Sequence, residues 1–207
     1  MSEIHVDHLN TFHLDILREI GNIGSGNATT ALAKLINKKV DMGVPKVNIL
    51  EFKDVADILG GADTEVIGIV FDLSGDITGM MMFVLDQRSA RILVNLLMGR
   101  EIHEDEVFTD IDLSALQEIG NILAGSYLSS LAGLTHLKIA PSIPYMAQDM
   151  AGAILSVPAI EFGKVGDKAL FIETEFIEGK DQVSGYFILI PEMKSFHKIL
   201  EALGVSK

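Results

Sequence analysis

Two sets of four residues share one spacing. Asp15, Glu19, Asn22 and Pro45 are separated by three, two and 22 residues, and so are Ser114, Glu118, Asn121 and Pro144. The second set lies 99 residues after the first. A lone Glu-x-x-Asn pair arises readily by chance. Four positions repeated in register mark an internal duplication in which both copies kept one polar constellation. The side chains limit the chemistry. Asn has no group that titrates near neutral pH, so it cannot be a general base. Its amide both donates and accepts, which suits it to hold and orient a water. Glu offers a carboxylate to a cation on a partner. Neither side chain is expected to act as a nucleophile. The set supplies no phosphate cradle and no metal cage. It fits hydrolysis only where the substrate brings the electrophile and its metal, as an acyl phosphate on another protein would. A glutamine that orients the attacking water accelerates phosphoryl transfer in GTPases by the same means.

A helix is the element that aligns these residues. At about 100° per residue, Asp15, Glu19 and Asn22 fall near 0°, 40° and −20° on the helical wheel. They form one narrow polar stripe. Leu14, Leu17, Ile20, Ala28, Ala31, Leu32 and Leu35 recur at the helical period on the other side. Gly26 continues the first stripe, and Gly125 takes the same place beyond Asn121. Glycine inside a helix costs ~1 kcal/mol against alanine. Its presence on both stripes predicts that something approaches the helix closely there.

The rest of each half reads as the same run of elements. In the first, residues 8 to about 37 form the long helix and 44–52 a strand with Pro45 near its start. Residues 52–59 form a short helix stopped by Gly60 and Gly61. Strands at 66–72 and 78–85 flank a turn at Ser74-Gly75-Asp76, and a helix at 86–98 closes on Gly99. In the second, a long helix at 112–134 precedes a strand within 138–145 that holds Pro144. A short helix at 149–160, broken near Pro158, leads to strands at 169–176 and 184–190 and a helix at 195–203. Gly79 aligns with Gly185, an offset of 106, so the second copy gained about seven residues before its last strand. Met80, Met81 and Met82 are expected to alternate between core and surface.

The predicted fold is α/β (α+β). An α-β-α-β-β-α repeat is duplicated with pseudo-twofold symmetry, and the long motif-bearing helices pack on an antiparallel sheet. Residues 1–207 form one domain, with repeats at about 8–99 and 110–204, joined by a linker that contains an acidic run.

Composition narrows the function classes. The chain has 207 residues, 48% of them hydrophobic, and no cysteine. Disulfides, thiolate metal sites and cysteine nucleophiles are excluded. A formal net charge of −13 disfavours nucleic acid as a partner. No apolar run approaches the ~20 residues of a membrane helix, and the N-terminus does not read as a signal peptide, so a cytoplasmic protein without a membrane partner is expected. The segment 20–27 is glycine-rich but follows no strand and lacks the lysine of a phosphate-binding loop. His5, His8 and His13 match no metal-ligand spacing.

The motif resembles one family. Glu-Ile-Gly-Asn-Ile-Gly-Ser-Gly-Asn (19–27) and Glu-Ile-Gly-Asn-Ile-Leu-Ala-Gly-Ser-Tyr (118–127), with the Asp/Ser-x3-Glu-x2-Asn-x22-Pro spacing, resemble the CheC-type chemotaxis phosphatases, a group that also includes the CheX and FliY types. The likeness runs from about Leu14 to Gly204. It implies hydrolysis of the phosphoaspartate on the response regulator CheY. By that resemblance, Asn22 and Asn121 orient the water, and Glu19 and Glu118 pair with a lysine of the regulator. Pro45 and Pro144 mark the strand start and shape the site, while Asp15 and Ser114 are supporting. No cofactor or metal belongs to the chain itself, because the Mg²⁺ sits on CheY. The resemblance also implies a second partner, the receptor deamidase CheD, and a monomer. An asymmetric segment, Met146 to Ala151, places Gln148 and Asp149 as docking residues for that deamidase. The alternative is that Asp149 simply caps a short helix. A second functional reading follows too, in which phospho-CheY regulates capture of the deamidase and hydrolysis is secondary.

Overall fold

Two helices of equal length carry the repeated motif. In the computed structural model, which describes residues 11–42, 46–101, 107–162, 168–178 and 181–204, α1 spans Thr11–Ile36 and α4 spans Asp110–Thr135, 26 residues each. After α1 come β1 (Asp41–Met42), β2 (Lys46–Glu51), α2 (Phe52–Ile58), β3 (Glu65–Gly75), β4 (Gly79–Asp86) and α3 (Gln87–Met98). The same order follows α4: β5 (Ile139–Pro141), β6 (Tyr145–Met150), α5 (Ala151–Phe162), β7 (Lys168–Glu178), β8 (Asp181–Pro191) and α6 (Met193–Ala202).

The eight strands among the described residues join one antiparallel sheet. β4 and β8 lie side by side at its centre, with Phe83 opposite Phe187. Each is flanked by its own hairpin partner, β3 or β7. The outer places are exchanged between halves. β1 and β2 pair with β7, whereas β5 and β6 pair with β3. Swapping one half for the other reproduces the strand order. Neither half therefore completes its sheet without the other.

Helices cover both faces of the sheet. α1, α3, α4 and α6 lie over one face, where Ile69, Phe71, Met81, Phe83 and Phe187 meet Leu32, Leu93, Leu123 and Ile199. α2 and α5 cover the other, where Val66, Met80, Met82 and Phe171 meet Val55 and Ile154. A central strand covered on both sides buries every side chain. This corrects the expected alternation at Met80, Met81 and Met82: none is more than 1% exposed.

The start of α4 is pinned by charge. Thr109 and Asp112 form a capping box, and the Arg100 guanidinium donates to Asp112 Oδ1. Arg91 stacks on the Phe108 ring, 4.2 Å from its centroid. Burial opposes ionisation of Asp112, but hydrogen bonds from Arg100 and Thr109 outweigh it and hold the carboxyl below its ordinary value of 3.8. A depressed pKa stabilises the fold above the unfolded pKa, and that stabilisation is lost as pH falls through the folded one. Asp112→Ala is expected to lower stability by about 1–3 kcal/mol at pH 7. Urea unfolding should show the gap from wild type closing below roughly pH 3.8. A gap of equal size at pH 7 and pH 3 would contradict the charge-based account.

Several boundaries differ from the sequence-based expectation. α3 agrees closely: Asp86 accepts from the Ser89 amide at 2.8 Å, and Gly99 ends the helix at φ 63°. β3 runs on through Ser74 and Gly75 to pair with β5, so the turn begins two residues later than expected. Residues 145–150 form the strand β6, and α5 starts only at Ala151. Asp149 therefore sits opposite Val66 in the sheet and does not cap a helix. Five of the six β6 side chains are exposed, so no apolar alternation reveals the strand; its ladder to β3 makes it one. α5 continues through Pro158, which is buried, and runs 12 residues against seven in α2. Most of the length gained by the second copy lies there. Pro45, His5, His8 and most of the acidic run of the linker lie outside the described residues.

Candidate functional site

The two polar stripes are exposed. Asp15, Glu19 and Asn22 on α1, and Ser114, Glu118 and Asn121 on α4, all face solvent, while Ile20, Leu116, Ile119 and Leu123 on the opposite sides are buried. The 3.6-residue period thus divides each helix as the sequence implied. The members of each stripe differ in how they are engaged. Asp15 accepts from Arg18 at 2.9 Å, and the Ser114 hydroxyl donates to the Asp110 carbonyl at 2.8 Å. Both first positions are thus tied to their own helix. Among the described residues, no side chain pairs with Glu19, Asn22, Glu118 or Asn121. Two carboxylates and two amides are left with their full hydrogen-bonding capacity toward solvent.

The glycines of the motif separate into two kinds. A Cβ added at Gly24 would sit 2.8 Å from the Tyr127 ring, and one at Gly120 would sit 2.6 Å from Ile69 Cδ1. These two let α1 meet α4 and let α4 meet the sheet. A Cβ at Gly26 or Gly125 would meet nothing within 4 Å. The fold itself does not require glycine on the stripes.

The two stripe-bearing helices are joined directly. Asn27 Nδ2 donates to Ser130 Oγ at 2.9 Å, and Tyr127 stacks on Phe187 with ring centroids 5.1 Å apart. Burial pushes the Tyr127 phenol well above its ordinary pKa despite the Ser25 side chain nearby, so it stays protonated and is no acid–base group.

Pro144 immediately precedes β6, next to the second stripe. Gln117 Nε2 donates to its carbonyl at 2.6 Å. Sequence reasoning overlooked Gln117, although it lies between two motif residues on the same helix. Its distant partner carries no local signal. Gln148 and Asp149 lie away from both stripes in sequence and in element, exposed on β6. Among the described residues no three His, Asp or Glu side chains gather as a metal site, and no helix is long and apolar enough to cross a membrane.

Similarity to known proteins covers nearly all of the chain. Residues 12–49 match the model of the CheC-like family, and residues 67–162 match that of the chemotaxis phosphatase CheX. The CheY-P phosphatase CheC of Bacillus subtilis is 40% identical over 197 residues, 93% of this chain and 94% of that protein. The crystal structure of Thermotoga maritima FliY superposes with a TM-score of 0.76 at 24% identity, covering 96% of this chain and 99% of that one. The structure of a CheX-CheY-BeF3-Mg²⁺ complex from Borrelia burgdorferi shares the fold at a TM-score of 0.51 and 14% identity, over 84% of this chain and 97% of that one. With both Glu/Asn stripes in place and 40% identity over almost its whole length, this chain belongs to the CheC family.

Proposed function

We propose that this chain hydrolyses the phosphoaspartate of phosphorylated CheY, using both stripes. The observation that carries the reading is the pair of exposed, unpartnered Glu/Asn sets in a chain 40% identical to a CheY-P phosphatase. Each Asn carboxamide accepts an O–H of one water and aims its lone pair at phosphorus, in line with the aspartyl oxygen. The water oxygen bonds to phosphorus, the phosphorus–aspartyl bond breaks, and the aspartyl oxygen leaves as carboxylate with its electron pair. The water's proton passes to the phosphate released. Each Glu pairs with a lysine of the regulator and holds the amide at the phosphoryl group. Mg²⁺ arrives as part of the substrate, since each stripe offers only one unengaged carboxylate. Pro45 and Pro144 shape the sites, and Gly26 and Gly125 leave clearance for the partner.

The test is the decay of phosphorylated CheY with and without a catalytic amount of the chain. Multiple turnovers are expected. Decay at the intrinsic rate of CheY alone would overturn the reading.

We read residues 1–207 as one cytoplasmic unit that works as a monomer, because the crossed strands make each half complete the other's sheet. A second reading adds regulation of the deamidase CheD. It is favoured by Gln148 and Asp149, which stand exposed on β6, a strand that among the described residues pairs with β3 alone. Asp149→Lys is expected to abolish capture of the deamidase in a pull-down while leaving hydrolysis intact. Retained capture would remove Asp149 from that role.

A further inference from the structure

The loop that carries Pro144 is clamped at both ends. The Ser142 amide donates to the Asp72 carbonyl at 2.8 Å, and the Asp72 amide donates to Ser142 Oγ at 3.0 Å. Two residues on, Gln117 of α4 donates to the Pro144 carbonyl at 2.6 Å. Between these anchors Ile143 is 88% exposed, and Tyr145 just beyond is 45% exposed. An apolar side chain so exposed ordinarily sits on a loop that can turn it away. Here the backbone is tied to β3 on one side and to α4 on the other, so Ile143 is held out toward solvent.

Pro144, the next residue, is tethered to the helix of the second stripe. Gln117 precedes Glu118 and lies one helical turn from Ser114 and Asn121, so its tether sets the loop along the edge of that stripe. The first stripe is built differently. Arg18 takes the place of Gln117 at the repeat offset, and its guanidinium is engaged with Asp15 at 2.9 Å. A cation thus stands beside Glu19 where the second site has a neutral tether.

We propose that Ile143 and Tyr145 form an apolar docking wall of the second site, and that Gln117 is the positioning residue that holds the wall in place. The occupant is the phosphorylated receiver domain whose phosphoryl group Asn121 addresses, so the inference rests on the phosphatase reading above. Gln117 ties the wall to the helix that carries Glu118 and Asn121. Apolar contact there adds grip that does not depend on charge, which matters when a chain of net charge −13 receives a phosphorylated partner.

The wall acts on binding and not on the bond being broken, so it should move KM and leave kcat. The test uses Asn22→Ala, in which only the second site works, and Asn121→Ala, in which only the first does. In the Asn22→Ala background, Ile143→Ser is expected to raise KM for phosphorylated receiver domain about tenfold, with kcat within about twofold. Gln117→Leu should raise KM in the same direction. In the Asn121→Ala background neither substitution should shift KM. An unchanged KM in the Asn22→Ala background, or an equal rise in both backgrounds, would overturn the wall. Loss of kcat in place of a KM shift would overturn it too. Activity surviving in the Asn22→Ala, Asn121→Ala double variant would instead remove the amides from catalysis, and decay at the intrinsic rate with the unsubstituted chain would remove the phosphatase reading itself.

Discussion

Replacing Asn22 and Asn121 together with alanine is expected to return CheY-P decay to its intrinsic rate. On the proposed mechanism neither Asn nor Glu of the stripes acts as a nucleophile, and the buried Tyr127 stays protonated, so positioning of the water is the contribution these variants remove. Loss of a positioned group of this kind costs about 100-fold or more. Each single variant should keep the share of activity belonging to the other stripe. The fold should be indifferent, because both side chains are exposed and have no partner among the described residues. Surface changes of that sort shift stability by no more than about 0.5 kcal/mol. A double variant with normal melting and normal hydrolysis would leave the amides without a catalytic role.

The largest loss of stability is expected at Gly79. This residue opens β4 with φ at 143°, opposite Pro191 in β8. A Cβ there would strike the Ile190 carbonyl oxygen and lie 2.7 Å from Pro191 Cα. Both obstacles are backbone of the neighbouring central strand, so a side-chain rotation cannot relieve them. The conformation alone disfavours an L side chain by about 1–2 kcal/mol, and the collision adds to it. Gly79→Ala should therefore cost about 4 kcal/mol and lower the melting temperature by roughly 10 °C. Because the strands of the two halves are interleaved, melting should remain a single transition. Two separated transitions, or a melting point within 2 °C or so of wild type, would contradict this account.

Gly79 also shows how a repeat can mislead. Its partner by alignment, Gly185, is required for another reason: a Cβ there would lie 2.7 Å from the Phe83 ring. One residue type answers two local problems, backbone collision in one half and ring packing in the other.

The helices and their exposed stripes were legible because they depend on near neighbours. A 3.6-residue period sorts Glu19 and Asn22 from Ile20, and the spacing in the second copy repeats it. The cap at Gly99 was legible for the same reason, whereas Asp86, read as the first helical residue, is the N-cap. β6 was not, because five of its six side chains are exposed and only the ladder to β3 makes it a strand. The methionines of β4 were misjudged because alternation assumes one open face, and here helices cover both. Pro158 did not break α5, because the burial that holds that helix on the sheet comes from distant residues.

The duplication, the two Glu/Asn stripes and the chemistry an amide can do follow from residue type and spacing along one chain. Folding adds what that spacing cannot: the halves exchange strands, Gly24 and Gly120 serve packing while Gly26 and Gly125 face open space, and Gln117 ties Pro144 to the helix of the second stripe. Those relations join residues far apart in the chain, where hydrogen bonds and van der Waals contact leave no periodic mark.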